Sequence, residues 1–152
     1  MSRRGYQGDK LLLDTSFILP ILGFETSKEI MDVFPKLRNY IIYYNEIGII
    51  EALWRIVKVV GNKGDLKVVL DGIDAIRNTF EYAYIDSEAV ENAVKMYRLG
   101  HRDMIDNVLY SIALSEDLKL LTIDNELIRF IEGHGLPREN IVRPEDIINR
   151  RD

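Results

Sequence analysis

The chain has no cysteine among its 152 residues, which excludes disulfides, thiolate zinc sites and a cysteine nucleophile. No apolar run approaches the roughly 18 residues that a membrane-spanning helix needs. The opening MSRRGYQGDK carries no apolar stretch of the signal-peptide kind. The expectation is therefore a soluble, cytoplasmic protein without membrane contact, residues 1–9 forming a flexible tail. Histidine is scarce. His101 and His134 each adjoin a glycine in a predicted loop with no nucleophile nearby, so no Ser–His–Asp arrangement competes. Positive charge is also in deficit, with a formal net charge of −5. That deficit argues against non-specific nucleic-acid binding, which rests on Lys and Arg at phosphates. Carboxylates that hold cations would leave the same deficit, so the charge decides little.

Apolar residues make up 47% and charged residues 30% of the chain, a globular balance. The length suits one domain over 1–152 with a sizeable core. Short apolar runs alternate with helical periods, which predicts an α/β fold with a mostly parallel sheet. Strands are expected at Lys10–Leu13, Ile41–Tyr44, 82–85, 119–123 and, more weakly marked, Ile141–Val142. Thr26 and Glu29 suggest a capping box before a helix that Pro35 shortens or bends. Asp65 can cap a long helix with Leu66, Val69, Leu70, Ile73, Ile76 and Phe80 along one face. Val90, Ala93, Val94 and Tyr97 mark a further helix ended by Gly100, and Ile105, Val108, Leu109 and Ile112 mark the next.

Four carboxylates fall where such a sheet presents ligands. Asp14 closes the first apolar run, and Asp124 closes LLTID. Both stand at carboxyl ends of predicted strands, where open α/β sheets bind. Each can equally serve as a helix N-cap. Asp103 and Asp106 open the helix DMIDNVLYSIAL three residues apart, on one face. Asp103 reads as its cap and Asp106 as an acid of the first turn. Glu51 lies in NEIGIIEALWRIVKVV, a helix apolar on nearly every side and so expected to be buried. A carboxylate there must pair, bind a metal or lose its charge. Arg55, one turn on, offers a partner. Glu46 sits in the first turn, where the helix dipole favours an acid.

Four carboxylates converging to about 5 Å would repel by roughly 3 kcal/mol a pair at an effective dielectric of 20. Six pairs then cost on the order of 20 kcal/mol before screening, more than a domain's stability. Such a cluster must take up protons or bind cations. All-oxygen ligands select Mg²⁺, Mn²⁺ or Ca²⁺, and carboxylate-held Mg²⁺ commonly serves phosphate chemistry.

These residues carry a resemblance to the PIN-domain family. LLLDTSF resembles its first motif and NEIGIIEALW its second. DNVLYSIAL, with Ala113 seven positions after Asp106, resembles the third, although Tyr110 and Ser111 replace its usual small residues. LLTIDNEL is similar to the fourth. The resemblance implies a three-layer α/β sandwich with a central sheet of about five strands and helices on both faces. It implies a metal-dependent endonuclease using one or two Mg²⁺ or Mn²⁺ ions at Asp14, Glu51, Asp106 and Asp124, with Glu46 the rival for Glu51. Asp103 would be an auxiliary ligand, and Thr15, Ser16, Thr122 and Asn125 polar helpers. RNA is the implied substrate and a homodimer the implied assembly. Small stand-alone members are similar to the VapC-like toxin half of toxin–antitoxin pairs, which implies an antitoxin-like partner.

Other phosphate enzymes fit less well. A haloacid-dehalogenase-like site wants Asp-x-Asp where Ser16 stands, and a receiver domain wants an acidic pair where Leu13 precedes Asp14. The standing alternatives are a PIN-like module that binds nucleic acid or protein without catalysis, and a plain α/β domain whose acids only cap helices.

Overall fold

Strands form where β-branched, leucine and aromatic residues run together, and the first two are followed at once by a polar residue, Asp14 and Asn45, that caps a helix. In the computed structural model, which describes residues 10–59 and 63–150, this gives β1 (Lys10–Leu13), α1 (Thr15–Ile18), α2 (Lys28–Met31), α3 (Phe34–Leu37), β2 (Ile41–Tyr44), α4 (Glu46–Ile56), α5 (Lys63–Thr79), β3 (Glu81–Tyr82), α6 (Ser87–Leu99), α7 (Met104–Glu116), β4 (Lys119–Leu121), α8 (Asn125–Gly133), β5 (Ile141–Val142) and α9 (Pro144–Ile148). The tail expected over 1–9 lies outside the described residues. All strand pairs are parallel, in the order β3-β2-β1-β4-β5.

The central strands are buried on both faces, as parallel strands must be. Leu11 and Leu13 of β1 and Leu121 of β4 join one core with α1, α4 and α5. Leu12 and Leu120 point the other way, into a second core with α6, α7 and α8. Helices thus cover both faces, and the three-layer α/β arrangement is the one expected.

Several local expectations are corrected. The third strand covers Glu81–Tyr82 rather than 82–85. Its neighbour β2 ends at Tyr44, opposite Tyr82, and beyond it Asn45 turns into α4. The Asn45 Nδ2 then takes the Ala83 carbonyl at 2.8 Å, leaving 84–85 no strand to pair with. For the same reason β4 stops at Leu121, opposite the last residue of β1, rather than at 123. Ser27, not Thr26, caps α2 through the Ile30 amide. Pro35 stands in the first turn of a separate helix, α3, where its missing N–H costs little. Asp65 lies in the first turn of α5, which begins at Lys63, rather than capping it.

The amphipathic faces also shift. In α5, Val69, Ile73 and Ile76 are buried, whereas Leu66 and Leu70 are exposed. In α6 the buried side is Ala89, Ala93 and Met96, and Val90 and Tyr97 face outward. The expected all-round burial of α4 fails most clearly, since Ile50, Trp54 and Val57 form an exposed stripe. Only Ile49, Ala52, Ile56 and Gly48 of that helix are buried.

Two glycines let helices approach their neighbours closely. A Cβ on Gly48 would lie 2.9 Å from the Ile18 Cδ1, so α4 approaches α1 closely only because position 48 has no side chain. A Cβ on Gly72 would stand 2.4 Å from the Ile21 carbonyl oxygen, closer than contact permits.

Candidate functional site

β1 and β4 end side by side, Leu13 opposite Leu121. From there the chain enters α1 against one core and α8 against the other. Strands that feed opposite faces leave a crevice at their carboxyl ends. Asp14 and Asp124 occupy its two sides, each as the N-cap of the helix that follows. The cap reading and the crevice reading hold together, because one carboxylate oxygen can serve a helix amide while the other stays available.

Asp14 is 6% exposed and accepts from the Thr15 amide at 2.5 Å and the Thr122 hydroxyl at 2.7 Å. Burial raises its pKa to about 6, against those two hydrogen bonds and with help from the negative charges of Glu51 and Asp124. Thr122 links the two sides of the crevice. Its hydroxyl donates to Asp14 and accepts from the Asp124 amide at 3.0 Å. Asp124 also accepts from the Leu127 amide at 3.1 Å.

Asp106 arrives from α7. Its amide is capped by Asp103 at 3.1 Å, so Asp103 has the N-cap role expected of it and stands exposed at the rim. The Asp106 side chain is 6% exposed. Burial, a hydrogen bond with Asp124 and the charges of Asp14, Asp103 and Asp124 push its pKa up to about 10. Burial acts upward on Asp124 too, but the bond from Asp106 and the Leu127 and Glu126 amides outweigh it and leave Asp124 below the usual carboxylate range. The two carboxyls titrate as a coupled pair, in which burial and the neighbouring negative charges favour the protonated form of Asp106.

Glu51 projects from α4, half-buried, and its charge is felt at Asp14. Arg55 approaches it at 3.6 Å. Glu46 is bound elsewhere, its two oxygens held by Arg77 at 2.7 and 3.0 Å. Of the two candidate glutamates, Glu51 is the one whose charge acts on the crevice. Among the polar helpers, Thr15 is fully buried and its Oγ1 has no hydrogen-bond partner. Ser16 is half-buried on the first turn of α1, and Asn125 is exposed at the start of α8. As placed, no three His, Asp or Glu side chains among the described residues form a group that could hold a metal ion. The acids meet as electrostatically coupled neighbours rather than as a closed cage.

Sequence reading passed over two supporting residues. His101 and Asn107 are both buried and clamp the entry to α7, the ring Nδ1 at 2.6 Å from the Asn107 Oδ1 and the Asn107 amide donating to the His101 carbonyl at 2.7 Å. This fixes the turn that delivers Asp106. A buried Asn directly after the acid was the available signal, because a polar side chain inside a helix must be satisfied. Beside the acids, a cleft of about 230 Å³ is lined by Glu51, Trp54, Arg55, Lys58 and Ile105. A larger apolar groove of about 510 Å³, lined in part by Phe34, Ile41, Ile76 and Phe80, lies at the opposite, amino end of β2 and β3.

The PIN domain family model matches residues 11–132. Solved structures share the fold at low identity. FitAcB from Neisseria gonorrhoeae superposes with a TM-score of 0.62 at 14% identity, covering 89% of this chain and 98% of that one. A toxin–antitoxin complex from Klebsiella pneumoniae gives 0.62 at 17% identity, covering 88% and 97%. VapBC-5 from Mycobacterium tuberculosis, a member of the VapBC family of toxin–antitoxin systems, gives 0.59 at 15% identity, covering 89% and 97%. No curated protein matches the sequence. Among the described residues, no helix is long and apolar enough to cross a membrane.

Proposed function

The chain belongs to the PIN domain family, and on that premise we propose that it is a metal-dependent endoribonuclease that hydrolyses RNA phosphodiester bonds at Asp14, Glu51, Asp106 and Asp124. The observation that carries this reading is the meeting of Asp14, Asp106 and Asp124, with Glu51 beside them, at the carboxyl ends of β1 and β4. Helix caps alone would not require their charges to act on one another.

The donor set fits a hard divalent cation. It is all oxygen, burial and neighbouring negative charges raise the pKa values of its most buried members, and the buried Thr15 hydroxyl beside Asp14 is unpartnered. Asp14, Glu51, Asp106 and Asp124 would hold Mg²⁺ or Mn²⁺. When bound, such an ion lowers the pKa of an attacking water and neutralises charge growing on the phosphate. The chain's own groups prepare for this. Thr122 and the Thr15 amide fix the Asp14 carboxylate in one orientation. Burial and the neighbouring charges favour a protonated Asp106, which relieves the repulsion between it and Asp124. Asp103 and the His101–Asn107 clamp keep Asp106 at the crevice by holding the start of α7.

The Klebsiella and Mycobacterium neighbours belong to toxin–antitoxin systems. This supports an antitoxin-like protein as a partner, and the exposed Leu66 and Leu70 of α5 offer an apolar face for such a protein or for a second copy of the chain. Purified protein incubated with labelled single-stranded RNA tests the enzymatic reading. Cleavage is expected with Mg²⁺ or Mn²⁺, none with EDTA, and none by the Asp14→Asn protein. Cleavage that persists in EDTA would end the proposal.

One observation favours a second reading, a PIN-like module that binds without cutting. The described acids do not stand as a ready-made group of three for a metal. Calorimetric titration with Mn²⁺ separates the two, since the binding module takes up no stoichiometric ion.

A further inference from the structure

The cleft beside the acids joins groups that have little reason to share a surface unless something binds there. Trp54 is 68% exposed, although it is the largest apolar side chain in the chain. Next to it are the cations Arg55 and Lys58, and the far wall is Ile105, immediately before Asp106. Glu51, Trp54 and Arg55 share one side of α4 by their spacing of three and four, and Lys58, two residues past the end of that helix, lines the same cleft. The carboxylates repel a polyanion, and these two cations stand on the approach to them. We propose that this cleft is a nucleotide subsite: an unpaired base of the single-stranded substrate stacks on the Trp54 indole while its phosphate is held by Arg55 and Lys58. The inference rests on the nuclease reading and names how that site takes its substrate.

Each part has a physical reason. Every base has an apolar face, so an exposed indole binds single strands with little sequence preference. Lys and Arg at phosphates release counterions and make binding salt-dependent. Arg55 is loosely engaged, its side chain 51% exposed and its nearest approach to Glu51 3.6 Å. A contact of that length to a half-exposed guanidinium is weak, so Arg55 can turn to a phosphate and leave the Glu51 carboxylate free. A base-paired strand offers no open base face at this position, which makes the subsite selective for single strands.

Trp54 is the sole tryptophan, so its fluorescence reports on this cleft alone. The test titrates the Asp14→Asn protein, which the nuclease reading expects not to cut, with hexauridylate in Mg²⁺. Wild-type cleavage is followed separately. Saturable quenching is expected, with a weak response to a duplex of equal length. By anisotropy of labelled hexauridylate, Trp54→Ala should weaken binding roughly tenfold, the worth of one stacked base, while Trp54→Phe keeps most of the affinity. Arg55→Ala and Lys58→Ala should each reduce the slope of log affinity against log salt by roughly one. If hexauridylate binds without quenching and Trp54→Ala binds as tightly as its parent, the subsite is refuted while the nuclease reading stands. If Trp54 emission instead follows protein concentration without RNA, the stripe is a protein interface and the subsite is likewise refuted. Absence of both binding and cleavage under every metal overturns the nuclease reading itself, and the subsite with it.

Discussion

Replacing Asp14 by Asn should stabilise the metal-free protein at neutral and alkaline pH, which is unusual for a buried polar residue with two hydrogen bonds. The magnitude follows from its environment. In the folded chain its pKa is about 6, against an ordinary value of 3.8. The folded state therefore holds the proton more tightly than the unfolded chain. The stability tied to the neutral form is fully present below about pH 3.8 and is lost as the pH rises through about 6. A difference of about two units corresponds to about 3 kcal/mol, an upper bound because local relaxation softens it. Asn carries no charge at any pH and escapes that cost. Its Oδ1 can still accept from the Thr15 amide, and the Thr122 hydroxyl can rotate to accept from its Nδ2. For a chain of this size 1 kcal/mol shifts Tm by about 2–4 °C. The Asp14→Asn protein in EDTA should thus melt roughly 5 °C above wild type at pH 8 and within about 1 °C of it at pH 4. Added Mn²⁺ should reverse the order at pH 8 by raising wild type alone. Thermal melts in EDTA and in Mn²⁺ across this pH range are the assay. A variant less stable than wild type at pH 8 in EDTA, or a difference independent of pH, would refute the reasoning and make Asp14 a structural cap first.

Further outcomes test the rest of the site and its frame. Mn²⁺ affinity should rise steadily between pH 5 and pH 8, because burial holds protons on Asp14 and Asp106 that a cation must displace. Calorimetry in buffers of different ionisation enthalpy should show proton release on binding. Glu51→Gln should lower Mn²⁺ affinity at least tenfold, roughly the scale of one lost ligand contact, whereas Glu46→Gln, which only releases Arg77, should leave it unchanged. Equal losses in both variants would return Glu46 to the site. Gly72→Ala forces a Cβ to 2.4 Å from the Ile21 carbonyl and should destabilise by about 1–3 kcal/mol in urea unfolding despite the better helix propensity of alanine. Tyr110→Phe removes a hydroxyl that donates to the Pro137 carbonyl at 2.7 Å and should cost about 1 kcal/mol by the same measurement.

The sequence alone determined the order of strands and helices and the places where acids meet strand ends. Those features rest on local chemistry: apolar runs such as LLL and KLL commit to strands, and Asp14, Asp103 and Asp124 commit to caps whatever the rest of the chain does. Element boundaries were less legible, because a strand ends where its neighbour ends. Nothing within 82–85 or 119–123 reveals that Tyr44 and Leu13 stop the ladders. The engagement of Glu46 was equally hidden, since it turns on Arg77, 31 residues away along the chain, reaching it. The burial of α4 was misjudged for a related reason. Its composition is apolar all round, but the sheet, α1 and α7 cover only part of its circumference, so Trp54 reaches solvent beside Arg55 and Lys58. Tertiary structure alone also decided that Asp106 and Asp124 titrate as a coupled pair. Their pairing depends on α7 and β4 packing side by side, and the pKa of either acid depends on the distance and burial that this packing imposes.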